Sequence, residues 1–159
     1  GPDAEKALSW ICANDIDVPP GRLVYTQLCN QRGGIEADLT VCRLAKDEFY
    51  IVTGTGSAER DFNWIQRNIP AGCDVQLTDV SMASAVLGLM GPLAREVLMQ
   101  ATDADLSSDA FPFATSRGLQ VAGATVRAMR VTFVGELGWE LHVPVDFAVE
   151  VYNLLTELG

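Results

Sequence analysis

Apolar residues recur along this chain in two rhythms, one helical and one alternating, and the switches between them mark out its elements. Residues 3–13 place Ala4, Ala7, Leu8 and Ile11 on one helical face, with Pro2 beside the first turn. Residues 23–28 alternate weakly and predict a strand, followed by a turn at Asn30-Gln31-Arg32-Gly33-Gly34, whose glycines can take positive φ. The clearest strand covers residues 35–44: Ile35, Ala37, Leu39 and Val41 share one face, Glu36, Asp38, Thr40 and Cys42 the other. A strand over 48–53 pairs next, then a helix over 57–68 sets Phe62, Ile65 and Ile69 at helical spacing. Short strands are predicted at 75–77 and 85–89, and a helix at 92–100. Strands at 119–121, 125–133 and 137–143 lead to a last helix over 146–158, with Asp146 as its N-cap. Trp10, Trp64 and Trp139 fall on apolar faces and are expected to pack.

Helices flanking antiparallel strands predict an α+β fold, and the order of elements repeats. Gly1-Pro2-Asp3-Ala4-Glu5-Lys6-Ala7-Leu8 and Gly91-Pro92-Leu93-Ala94-Arg95-Glu96-Val97-Leu98 share the pattern G-P-x-A-x-x-x-L at an offset of 90 residues. An Asp-bearing turn, several strands and an amphipathic helix follow each copy. The expectation is one domain over 1–159 built on an internal repeat of about 1–70 and 91–159. The second copy is fed by a strand ending at Met90; the first has no such strand before it, which suggests a piece of a longer protein with an open sheet edge.

Charge and composition narrow the function. Twenty-one acidic against 11 basic residues give a net charge of -10, which argues against non-specific binding to nucleic acid or to an anionic membrane. No apolar run reaches the ~18 residues of a membrane span. Cys12, Cys29, Cys42 and Cys73 form no C-x-x-C and no histidine adjoins them, so no zinc site is expected, and the thiols are read as reduced. The lone His142 is read as structural or as a surface residue. Arg127 and Arg130 on one strand could meet an anionic ligand; a solvated or ion-paired face is the competing reading. The acidic turn at Asp103-Ala104-Asp105 lacks the glycine and terminal glutamate of a calcium loop.

Two segments carry candidate chemistry. Tyr25 to Val41 forms a strand, a glycine turn, and a strand that shows Glu36 and Asp38 on its polar face; a plain hairpin with solvated acids is the alternative. In Arg130-Val131-Thr132-Phe133-Val134-Gly135-Glu136-Leu137-Gly138-Trp139-Glu140-Leu141-His142, two glycines bracket Glu136. Glycines let backbone approach a flat ligand closely, and a rigid carboxylate accepts two parallel hydrogen bonds from a planar N–H pair. An exposed turn glutamate is the plainer reading.

The strings Y-T-x-L-x-N-x-R-G-G-I-E-A-D-L-T-V, G-x-M-G-P-x-A-R, F-P-F-x-T and F-V-G-E-L-G-W-E-L-H-V-P, in this order, resemble the aminomethyltransferase (glycine-cleavage T-protein) folate-binding family. Their particular forms look most like the C-terminal region of sarcosine and dimethylglycine dehydrogenases. The resemblance covers essentially the whole chain. It implies duplicated antiparallel sheet units with flanking helices. It also implies a tetrahydrofolate site that captures the one-carbon unit of an N-demethylation as 5,10-methylenetetrahydrofolate. FAD would belong to an N-terminal domain of the parent protein, since this chain has no G-x-G-x-x-G. That domain and a C-terminal remainder are the implied partners, and the mitochondrial matrix or the bacterial cytoplasm the implied location.

Residue by residue, the resemblance makes Glu136 the pterin-binding carboxylate, Tyr25 a ring in the folate channel, and Phe133 a ring in place of a tyrosine. Of the aspartate pair in the pattern G-G-x-x-D-D, Ala37 stands at the first position and Asp38 at the second, so Asp38 is the candidate catalytic group. Gly54 replaces an asparagine of that pattern. These two departures keep open a module that binds folate without transferring carbon; a free-standing aminomethyltransferase is the third reading.

Overall fold

The structure is a computed structural model describing Gly1 to Gly159. It contains two compact units, Gly1–Asp79 and Val80–Gly159.

In the first unit, α1 (Ala4–Ile11) precedes β1 (Leu23–Cys29), β2 (Ile35–Ala45) and β3 (Glu48–Val52); a 3₁₀ turn at Thr55–Ser57 then opens α2 (Ala58–Asn68). The strands form an antiparallel sheet in the order β1-β2-β3. The alternation in β2 decides which face is covered. Ala37, Leu39 and Val41 are buried with Leu8 and Ile11 of α1 and Ile65 of α2, while Asp38 on the other face is exposed. Removing those side chains from water drives the packing, at about 25 cal/mol per Å² of apolar surface.

The second unit holds β4 (Ser84–Met90), α3 (Ala94–Ala101), β5 (Ser116–Val121), β6 (Ala124–Met129), β7 (Gly138–Pro144) and α4 (Ala148–Leu158). Its sheet runs β4-β7-β6-β5, antiparallel throughout. A two-residue turn joins β5 to β6, with both Ala122 (φ 47) and Gly123 (φ 78) left-handed, the hairpin turn whose twist suits its flanking strands. Trp139, Leu141 and Val143 of β7 are fully buried with Leu98 of α3 and Val151 of α4. Phe111 meets Trp139 edge to face, with ring centroids 6.2 Å apart.

Helix, three-stranded meander and helix thus occur in the same order in both units. Some expectations fail locally. Residues 75–77 form no strand; the neighbouring Asp74 N–H is taken by the Asp3 carboxylate at 2.8 Å, and Leu77 packs on the core from an irregular segment. The strand expected over 125–133 ends at Met129, because the Val131 N–H turns back to the Met129 carbonyl at 3.0 Å. Asp146 does not cap α4: a 3₁₀ turn at Val145–Phe147 leads in, and Phe147 occupies the cap position without a side-chain bond. Trp10 is 75% exposed rather than packed, whereas Trp139 is wholly buried. None of the four cysteines is in a disulfide.

Candidate functional site

In the first unit, the β1–β2 pairing brings Tyr25 to Asp38. Gln27 is the register partner of Asp38, so Tyr25, two residues away on the same strand face, lies diagonally opposite it. The Tyr25 hydroxyl donates to Asp38 Oδ2 at 2.6 Å. That bond to an anion, the largest of several causes, raises the Tyr25 pKa above its ordinary value. Glu36, two residues from Asp38 on the same strand face, is engaged otherwise: its Oε1 accepts from Asn30 Nδ2 at 2.7 Å. The Asn30 carbonyl oxygen of the side chain accepts the N–H groups of Arg32 and Gly34, which holds the turn to which Glu36 is tied. Of the two carboxylates, Asp38 is therefore the one joined to a proton-bearing group in the open. Ala37 points the other way and is 3% exposed, among the apolar residues of the core. No group of three or more His, Cys, Asp or Glu side chains is placed to hold a metal ion.

The second unit presents Phe133 and Glu136 on one bend between β6 and β7. Phe133 is 94% exposed, an unusual setting for an apolar ring, and Glu136 is exposed as well. The bend turns at Gly135 (φ 85), and the Gly135 N–H is held by the Thr132 hydroxyl at 3.1 Å. The Gly91 N–H, at the end of β4, donates to the Leu137 carbonyl at 2.8 Å. Gly91 has a φ of 135, a conformation that favours glycine, and its Cα side faces Glu136: a Cβ there would stand 3.7 Å from Oε2, in ordinary contact. Gly138 serves a different end from the one expected of it. A Cβ there would stand 2.7 Å from Met90 Cγ and 2.8 Å from the Leu89 carbonyl oxygen. It is the adjacent strand that presses on Gly138, and no ligand is needed to explain the glycine.

His142 is buried beside Glu140 on the same face of β7, with Nε2 and Oε2 3.9 Å apart. Arg130 turns inward to donate to the Phe111 carbonyl and lies over the Trp139 ring at 5.8 Å. Arg95 enters the sequence reading only as the last residue of G-x-M-G-P-x-A-R, and its meeting with Ser108, 13 residues on, carries no sequence signal.

No helix of the chain is long and apolar enough to cross a membrane. The chain is 41% identical to human mitochondrial sarcosine dehydrogenase over its whole length, which is 19% of that protein. It is 34% identical to rat mitochondrial dimethylglycine dehydrogenase, again along the whole chain and 19% of the relative. The chain thus spans about a fifth of the length of these curated relatives. Among solved structures, the glycine cleavage system aminomethyltransferase T from Bartonella henselae superposes with a TM-score of 0.82 at 29% identity, covering 98% of this chain and 41% of that one. The GCVT N-terminal domain matches residues 1–159, and the chain belongs to that family.

Proposed function

We propose that this chain is the tetrahydrofolate-binding module of a sarcosine or dimethylglycine dehydrogenase-like flavoenzyme. In this reading it helps to capture the one-carbon unit released by N-demethylation as 5,10-methylenetetrahydrofolate. The observation that carries the reading is the exposed Glu136 carboxylate on a bend held by the Gly135 and Leu137 hydrogen bonds, three residues after an exposed ring. In this reading the amine specificity and the FAD-bearing part would belong to the rest of the parent protein, of which this chain spans about a fifth in its relatives. The mitochondrial matrix or the bacterial cytoplasm is the proposed location.

Tetrahydrofolate supplies two nucleophilic nitrogens, N5 and N10, for a one-carbon electrophile. The chain's own residues would orient it and handle protons. Glu136 accepts the paired N–H groups of a pterin edge, and Phe133 offers its ring face to a flat heterocycle. Asp38 accepts a hydrogen bond from the Tyr25 hydroxyl, with the two oxygens 2.6 Å apart, so the pair is suited to take and return a proton. Ala37 favours a second reading, a module that binds folate without transferring carbon. Ala37 itself lies on the core face of β2, the opposite face from Asp38.

Titration of the intact protein with tetrahydrofolate tests the binding: Glu136→Ala should weaken it tenfold or more, and undiminished affinity would remove the assignment. Formation of methylenetetrahydrofolate by Asp38→Asn separates the two readings. A large drop in rate at unchanged folate affinity supports transfer, while an unchanged rate removes Asp38 from the chemistry.

A further inference from the structure

The two units place an arginine in the same setting and surround it with opposite charges. Arg43, near the end of β2, lies over the Phe49 ring at 5.3 Å and donates to the Val18 carbonyl at 3.0 Å. Arg130, just past β6, lies over the Trp139 ring and donates to the Phe111 carbonyl. Around Arg43 the charge is answered twice, by Glu5 of α1 at 2.5 Å and by Asp17 at 3.2 Å. At the 90-residue offset between the two G-P-x-A-x-x-x-L segments, the counterpart of Glu5 is Arg95.

Beside Arg130, therefore, a second cation stands where the first unit has a carboxylate. Arg95 Nη2 and Arg130 Nη2 both donate to the Ser108 hydroxyl oxygen, at 3.2 and 3.3 Å. None of the chain's ion pairs involves either residue, so no carboxylate lies within 4.0 Å of either guanidinium. Acids are not scarce, with 21 against 11 basic residues. Arg95 Nε is buried without a hydrogen-bond partner, and Arg95 sits in the first turn of α3, where the helix dipole disfavours a cation. Burial and then the charge of Arg95 both lower the Arg130 pKa. Ser108 itself is exposed, so solutes can reach the point where the two guanidinium groups converge.

We propose that Arg95, Arg130 and the Ser108 hydroxyl form a binding site for a doubly charged oxyanion, which answers the two guanidinium groups as Glu5 and Asp17 answer Arg43. Phosphate monoesters and dicarboxylates share this chemistry: two charges, and several oxygens for two forked donors. The site does not rest on the folate reading and uses neither Glu136 nor Asp38.

Thermal unfolding of the intact protein tests it, with inorganic phosphate or malonate replacing chloride at fixed ionic strength. A saturable rise in Tm of about 3–5 °C is expected at tenfold excess over the dissociation constant. A response to phosphate alone assigns a phosphate ester, and a response to malonate alone or to both assigns a dicarboxylate or a general dianion site. Arg95→Met should abolish the response. Arg95→Glu recreates the arrangement around Arg43; it should raise Tm by about 2–4 °C with no added anion and leave neither anion any further effect. A wild-type Tm indifferent to both anions, a response retained in Arg95→Met, or an Arg95→Glu protein less stable than wild type would overturn the proposal.

Discussion

The third strand of each meander ends in a different environment. β7 is paired on both sides, by β6 and β4, and its Trp139, Leu141 and Val143 are wholly buried. β3 is paired on one side only, and Phe49, Tyr50, Ile51 and Val52 are each half-buried. An apolar cavity of about 140 Å³, lined by Leu8, Ile11, Phe49, Ile51 and Ile65 among others, lies beside it. The same succession of elements thus gives a tight core where a fourth strand closes the sheet edge, and a looser one where none does. Burial follows from the neighbours a strand is given as well as from its own hydrophobicity.

Truncating corresponding positions measures that difference most directly. Trp139→Ala should cost about 3–5 kcal/mol and Leu141→Ala about 2–5 kcal/mol, because each removes a fully buried side chain and leaves a cavity. Ile51→Ala, at the matching place in β3, should cost roughly half as much, since its side chain is already part exposed. Urea denaturation read by tryptophan fluorescence and circular dichroism would compare them, and equal losses would break the comparison.

The two arginine settings give a second contrast. Arg43→Met should destabilise by about 2–3 kcal/mol, less than the loss of a fully buried pair, because Glu5 and Asp17 are 39% and 74% exposed and regain water.

A comparable effect, confined to high pH, is expected from Cys12 of the first unit. Burial pushes its thiol from 9.0 up to about 11. The unfolded chain therefore ionises first. The stabilisation is fully present below about pH 9 and is lost as pH rises toward 11, by up to about 2–3 kcal/mol. Cys12→Ala should flatten that part of the stability profile, as followed by urea denaturation at each pH.

The smallest contrast lies within one strand pair. Gly138→Ala forces a Cβ to 2.7 Å from Met90 Cγ and should cost about 1–3 kcal/mol. Gly88→Ala on β4 meets only Met90 Cε at 3.8 Å, and should stay within about 0.5 kcal/mol of wild type. Paired thermal melts would check both.

Much of this architecture is legible from local pattern. The alternation over Ile35 to Val41 predicts the face of β2 that carries Asp38, and helical spacing finds all four helices to within a few residues. The failures share a cause: they depend on partners far away in sequence. Val75 and Leu77 alternate like a strand, but strand character needs a ladder, and here Asp74 bonds to Asp3 instead. Trp10 looks like core because hydrophobicity says nothing of whether a surface awaits it. Within the candidate site, the Tyr25–Asp38 contact follows from register once the hairpin is known. The convergence of Arg95 and Arg130 on Ser108 is invisible until the fold brings the three segments together.

The uneven covering of the four thiols has a practical consequence. Cys12 and Cys42 are buried, Cys73 is half-covered, and Cys29 alone stands open at the end of β1, next to Asn30 and on the same hairpin as Asp38. Maleimide reagents should therefore modify Cys29 first in the folded protein, and a fluorophore attached there would sit on the Tyr25–Asp38 hairpin without an engineered attachment point.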